Sequence, residues 1–172
     1  MTPQDVSPPT DGILNAERDV QARLGSRQLD FDSLDAISNI YRAAASVRRR
    51  AEREVLSEYK LTFGGFTILW VLWVWGAMET ARLADECGLA KGTLTGMLTT
   101  LEKQGLVERT RVATDMRRVL VSLTPRGTET IDELFPKFNR FEGQMSSRLS
   151  PAEKRELARL LRLVIAEGTD AE

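Results

Sequence analysis

The sequence predicts a mainly α-helical fold with a minor β component: a winged helix-turn-helix flanked by longer helices, about six helices and one β-hairpin in all. Three observations predict it. Two short helical patterns meet at a glycine-bearing turn around Cys87, Gly88 and Leu89, which is the spacing of a helix-turn-helix. A β-prone alternation, Val119, Leu120, Val121, Ser122, Leu123, follows about fifteen residues after the second of these helices ends. Long apolar stripes at spacings of three and four lie on both sides of this segment.

In chain order, residues 1–10 are polar and carry Pro3, Pro8 and Pro9, so residues 1–30 read as a flexible extension, with a short helix or arm within 13–24 as the alternative. Leu34, Ile37, Tyr41, Ala44, Val47, Ala51 and Val55 then mark a helix over 33–59. Thr62 suits the N-cap of a second helix whose positions Phe66, Leu69, Trp70 and Trp73 share one face. Val71, Leu72, Val74 and Trp75 fill its other side, so this helix is expected to be buried nearly all round. Thr80 is the expected cap of a third helix reaching Glu86. A fourth, 91–104, carries Leu94, Met97, Leu98 and Leu101 and stops at Gly105. A hairpin over 106–123 is followed by Thr124-Pro125, cap and first turn of the next helix, in which Pro136 should cause a kink or break. Ser150-Pro151-Ala152-Glu153 is a capping box that opens the last helix, with Leu157, Leu160, Leu161 and Val164 as its stripe. The expected organisation is therefore an extension over 1–30 and one domain over 31–172. Its flanking helices cover about 33–59 and 125–167, and the winged segment about 62–124.

Composition narrows the chemistry. The 172 residues contain no histidine and one cysteine, Cys87, so the commonest general base and transition-metal ligand is missing and no internal disulfide forms. No glycine-rich phosphate loop appears. No catalytic residue, metal site or cofactor is expected, and the chain is not read as an enzyme. The first residues lack the basic and apolar regions of a secretory signal. The 18 residues 61–78 carry no charge, but their apolar heart, 66–75, is shorter than the roughly 20 residues that span a bilayer. A buried helix in a cytoplasmic protein, with no membrane partner, is the expectation.

Net charge is −1 overall, yet residues 91–118 hold six basic side chains against three acidic ones, a local net of +3. What matters for a nucleic-acid surface is this local face. In a helix-turn-helix the second helix enters the major groove, and its outward residues here are Lys91, Gly92, Thr93, Thr95 and Thr99. Lysine suits phosphate or guanine, and threonine hydroxyl and methyl suit phosphate or thymine. The hairpin supplies Arg109, Arg111, Arg117 and Arg118, suited to a narrow, electronegative minor groove. Asp115 at its tip is expected to hold Arg117 by a charge-assisted bond. Double-stranded DNA is the expected partner. A winged helix that only binds other proteins is the alternative, separated by whether affinity for DNA falls with salt.

The three tryptophans at 70, 73 and 75 read as core or as the aromatic wall of a small-molecule pocket. The pocket reading nominates Tyr41, Arg48, Phe66, Trp70 and Trp73, with Arg48 otherwise an ordinary solvated helix charge.

Residues 101–109 (LEKQGLVER), the run Asp115-Met116-Arg117-Arg118 and residues 121–127 (VSLTPRG) resemble the MarR/SlyA family of bacterial transcriptional regulators, with its L-E-x-x-G-L-V-x-R, D-x-R and V-x-L-T-x-x-G pattern. Thr80, Leu83, Ala84 and Leu89 fit its preceding helix, and the likeness covers about 33–166. The resemblance implies a homodimer held by the terminal helices, here 34–41 and 149–165, reading a palindromic operator, most often as a repressor. It further implies a phenolic or other small anionic effector whose binding lowers DNA affinity. Two positions depart from the family: Ala90 stands where a capping serine is usual, leaving Thr93 or a phosphate to satisfy those amides, and Gly96 where arginine is usual. Some relatives sense oxidants through a cysteine in the first helix. Cys87 lies instead in the turn, with no adjoining basic residue to lower its pKa, and reads as structural.

Overall fold

A computed structural model describes the backbone of residues 14–112 and 115–169 and the side chains of 14–111 and 118–168. The described residues form seven α-helices and a three-stranded antiparallel sheet. In order these are α1 (Asn15–Leu24), α2 (Phe31–Glu54), a 3-10 turn (Leu56–Tyr59), α3 (Phe63–Trp75), β1 (Met78–Glu79), α4 (Thr80–Glu86), α5 (Lys91–Lys103), β2 (Val107–Val112), β3 (Asp115–Leu123), α6 (Pro125–Met145) and α7 (Pro151–Thr169).

Two compact units make up the chain, Met1–Ser46 and Val47–Glu172. The division falls inside α2, not near residue 30. Residues 15–24 of the expected extension are helical, and the reason is a polar contact the pattern did not disclose. Glu17 is buried, accepts the Leu14 amide at 2.6 Å and accepts the Asn39 side-chain amide, from α2, at 2.5 Å. A buried carboxylate left without such donors would be costly, so these bonds hold α1 to the first half of α2. Asp30 caps α2, accepting the Ser33 amide at 3.0 Å. Those two serine bonds, from hydroxyl and amide, pull the Asp30 carboxyl below its usual range.

In the second unit α3 is central, with Phe66, Ile68, Leu69, Val71 and Leu72 all buried. Ile131, Leu134, Phe138 and Phe141 of α6 join the same core, and the Phe66 and Phe138 rings stack at 4.0 Å. Thr62 caps α3 as expected, accepting the Gly65 amide at 3.1 Å. One expectation is corrected: α3 is not buried all round. Val74 and Trp75 are 47% and 50% exposed, because Gly76 ends the helix there and its last turn runs past the core. No helix among the described residues is long and apolar enough to cross a membrane.

The sheet has the order β1-β3-β2. Its first strand, Met78–Glu79, was not anticipated: two residues show no alternation. Pairing makes it a strand, Met78 opposite Val121 and Glu79 opposite Leu120. Glu79 consequently occupies the N-cap of α4, and Thr80, the expected cap, is that helix's first residue. Gly88, at φ +62°, turns the chain between α4 and α5, a conformation glycine adopts without a Cβ penalty.

The stretch 121–127 does a specific job. Thr124 accepts the Gly127 amide at 3.0 Å, donates its hydroxyl to the Gly105 carbonyl at 2.6 Å, and its own amide reaches the Leu106 carbonyl at 3.1 Å. A Cβ at Gly127 would lie 1.9 Å from that Leu106 oxygen. Only glycine lets α6 start this close to the end of α5. The helix then runs on through Pro136 to Met145, so of the expected kink or break the break does not occur. α7 opens with the expected box, in which Glu153 accepts the Ser150 amide at 2.7 Å. None of its described residues is buried.

Candidate nucleic-acid interface

Leu94, Leu98 and Leu101 fasten α5 to the core, each under 4% exposed. Counted at 3.6 residues per turn, Gly92, Gly96 and Thr99 lie along the opposite, outermost line of α5. Thr95 flanks that line on one side, Thr93 and Thr100 on the other. All of these and Lys91 are exposed. The threonine hydroxyls are mostly engaged: Thr95 donates to the Lys91 carbonyl at 2.9 Å, Thr99 to that of Thr95 at 3.0 Å and Thr100 to that of Gly96 at 3.2 Å. Thr93 makes no such bond among the described residues. Ala90 is the N-cap residue and supplies no side-chain cap, and Thr93 does not substitute for it. The first-turn amides of α5 therefore face outward at the positive end of the helix dipole, an arrangement that suits phosphate.

Beside α5 stands the wing formed by β2 and β3, registered Val107 opposite Leu123 through Arg111 opposite Val119, with an irregularity at Arg111/Val112. Thr80, Thr95, Leu98, Arg109, Arg111 and Val119 line a cleft of about 380 Å³ between helix and wing. Of the nominated cations, Arg111 is exposed and has no ion pair among the described residues. Arg109 is not a free cation: it is bonded to Glu102 at the end of α5, which raises its pKa above the ordinary arginine value. Arg118 reaches back to Glu79, its Nε donating at 2.9 Å. The side chains of Asp115 and Arg117, and hence their expected bond, lie outside the described residues.

Sequence reasoning missed the carboxylates Glu79 and Glu102. A usable signal existed for one. Glu102 and Arg109 are the two charged positions of the motif over 101–109, seven residues apart across a turn, and could have been paired. Glu79 offered none, because its strand exists only by pairing with β3.

The five residues nominated for a small-molecule pocket fall in different surroundings. Phe66 is spent in the core stack. Trp73 packs on Phe135 at 5.3 Å and donates its indole N–H to Asp132 at 2.8 Å. Trp70 meets Trp75 edge to face at 5.2 Å. Arg48 lies 3.6 Å from Glu52, an exposed i,i+4 pair, and Tyr41 is 73% exposed. Cys87 packs partly buried against the core. Burial first, then the neighbouring Glu86 charge, pushes its thiol up to about 11, which matches a structural thiol and not a reactive thiolate.

Two helices joined by a tight turn, the second one outward-facing beside a basic hairpin, define a winged helix-turn-helix regulator of transcription that binds DNA. Residues 61–119 match the family model described as MarR family. Among curated proteins, an uncharacterized HTH-type transcriptional regulator of Bacillus subtilis, YwaE, is 37% identical over 151 residues, spanning 86% of this chain and 88% of its own. The chain belongs to the MarR family. Among solved structures, MarR of E. coli in complex with operator DNA is 26% identical with a TM-score of 0.69, over 80% of this chain and 99% of that one. BpsR of Bordetella bronchiseptica, described for regulation of its DNA binding by 6-hydroxynicotinic acid, is 25% identical with a TM-score of 0.70, over 76% of this chain and 98% of that one.

Proposed function

We propose that the protein is a cytoplasmic, homodimeric repressor that binds a palindromic operator and is released by a small aromatic acid. The observation that carries this reading is the pairing of an outward recognition face with an uncovered apolar helix. α5 offers Lys91, Gly92, Thr93, Thr95 and Thr99 to a major groove. Arg109, Arg111, Asp115, Arg117 and Arg118 belong to the wing that lies over the adjacent backbone and minor groove. α7 meanwhile leaves Leu157, Leu160, Leu163, Val164 and Ile165 exposed, Leu163 and Ile165 to 56% and 65%. An apolar stripe of this kind is the mark of an interaction surface, and a second copy of the chain is the occupant that also supplies a second reading head. Two heads one DNA turn apart match a palindrome.

The effector reading rests on the tryptophans of α3, of which Trp73 and Trp75 are partly exposed, and on the BpsR relative. The role is regulatory and not enzymatic: the chain has no histidine, and its relatives are regulators.

The test is DNA from the flank of the protein's own gene, titrated by fluorescence anisotropy at several salt concentrations, with mass measured in parallel by light scattering. A dimer whose affinity drops as salt rises, and drops again with an aromatic acid that also changes tryptophan emission, is expected. A monomer, or an affinity indifferent to salt, sinks the reading. Unchanged emission and affinity across a panel of such acids removes the effector part alone.

A further inference from the structure

A helix in the major groove tells bases apart chiefly through long planar or charged side chains: arginine or lysine on guanine, asparagine or glutamine on adenine. α5, KGTLTGMLTTLEK, contains no arginine, asparagine or glutamine. Its two lysines stand at its ends. Between them the outward face consists of Gly92, Thr93, Thr95, Gly96, Thr99 and Thr100.

The chemistry of that face is restricted further by its own bonds. Three of its four threonines donate their hydroxyl protons to backbone carbonyls one turn back, at 2.9 to 3.2 Å. A hydroxyl so committed cannot also donate to guanine O6 or N7. It presents a γ-methyl and, at Thr95 and Thr100, an oxygen lone pair; the Thr99 oxygen already lies 3.5 Å from the Arg109 guanidinium. The glycines are not explained by packing, since a Cβ at either Gly92 or Gly96 would meet nothing within 4 Å. Gly92 lies in the first turn of α5, but Gly96 lies in its interior, where glycine is unfavourable relative to alanine, so its bare position on the exposed line calls for a reason outside the free chain. A bare backbone along that line lets the helix axis approach the base edges, which short side chains require if they are to touch anything.

We infer that α5 reads its half-site through thymine methyl groups. The threonine γ-methyls and the glycine Cα atoms form a small, nearly donor-free apolar surface that fits against thymine C5-methyls. The oxygens of Thr95 and Thr100 accept from the adenine amino group of the same pairs. Guanine is not recognised along the middle of the helix. The part of the operator under α5 is accordingly made of A·T pairs, and its specificity resides in the methyl. This inference rests on the DNA-reading role proposed above and names what that role reads.

The experiment selects binding sites for the full-length protein from random duplex DNA. Each thymine of the recovered half-site is then replaced by uracil, which lacks only the methyl, and each guanine by 7-deazaguanine, which lacks only N7. Uracil at two or more adjacent positions should weaken binding about threefold to tenfold apiece, the worth of a buried methyl. 7-Deazaguanine at any guanine under the helix should change affinity less than about twofold, well short of the loss that removing a bidentate guanine contact causes. Uracil substitution without effect overturns the inference, whatever the guanines do. Strong loss with 7-deazaguanine under the helix overturns it too, and both results leave the operator reading standing. Recovery of no preferred sequence overturns both.

Discussion

The guanidinium of Arg109, on β2, donates to the carboxylate of Glu102 in the last turn of α5, and the same terminal nitrogen lies 3.5 Å from Thr99 Oγ1. Both side chains of the pair are 29% exposed. The contact straps the wing to α5, so the two parts of the proposed DNA-facing surface keep a fixed relation. Partly buried charge-assisted bonds are worth more than free surface pairs. Arg109→Ala should therefore lower stability by about 1–2 kcal/mol, read as a drop in the urea midpoint with an unchanged slope. An unmoved midpoint would mean the strap contributes nothing.

Arg118 and Glu79 present the opposite case. Here a carboxylate on β1 holds a cation of the wing, on the side of the molecule proposed to face DNA. Glu79→Gln keeps the shape and removes the charge. DNA binding should tighten at low salt, and the slope of log K against log salt should steepen by up to about 0.9, one added phosphate contact. If the slope stays the same, Arg118 does not reach phosphate even when the pair is weakened.

The winged core was legible because its elements announce themselves locally. The Thr62 and Thr124 caps, the Ser150 box and the stop at Gly105 are written in neighbouring residues, and so are the leucine stripes of α5. What was not legible depends on partners distant in sequence. β1 is a strand only opposite Val121. α1 is held by Glu17 against Asn39, a pair 22 positions apart. The outward turn of Trp75 follows from where the core ends, which no periodicity states. Within the candidate site the residues of α5 could be named from spacing, but the hydroxyl bonds of Thr95, Thr99 and Thr100 could not. Helical threonine splits between rotamers, and the choice made here alters what the face can recognise.

Cys87 sets a pH-dependent limit. Its thiol is raised to about 11, while an unfolded cysteine titrates near 8.5. The folded state thus holds the proton more tightly. That contribution to stability is fully present below the unfolded value and is lost as pH rises from about 9 toward 11. Thermal melts should show a steeper decline over this window than Cys87→Ser does, the remainder coming from groups such as Tyr59, whose pKa is also raised. Alkylation by iodoacetamide at neutral pH should be slow in the native protein and fast in denaturant. Rapid native alkylation at pH 7 would contradict the burial that raises this group.

The apolar face of α7 gives a prediction about assembly. Leu160 and Leu163 are exposed and belong to no core among the described residues, so Leu160→Glu with Leu163→Glu should leave the monomer's own packing intact. The variant should keep a helical circular-dichroism spectrum, halve in mass by light scattering and lose binding to a palindrome far more than to a single half-site, because only the linkage between two heads is broken. A variant that stays dimeric places the interface elsewhere.

Gly96 separates stability from recognition. A Cβ there meets nothing within 4 Å in the free protein, and alanine is favoured over glycine in a helix interior by about 1 kcal/mol. Gly96→Ala should therefore raise the melting temperature. The same methyl stands on the line of α5 that the proposed reading brings closest to the bases, so it should lift the helix from the groove. Operator affinity should fall several-fold while affinity for unrelated DNA, carried by phosphate contacts, changes little. Opposite signs for the two measurements are what a bare backbone against bases requires. A variant both more stable and equally tight on operator would show that Gly96 faces solvent in the complex, and that the helix is read from its flanking threonines alone.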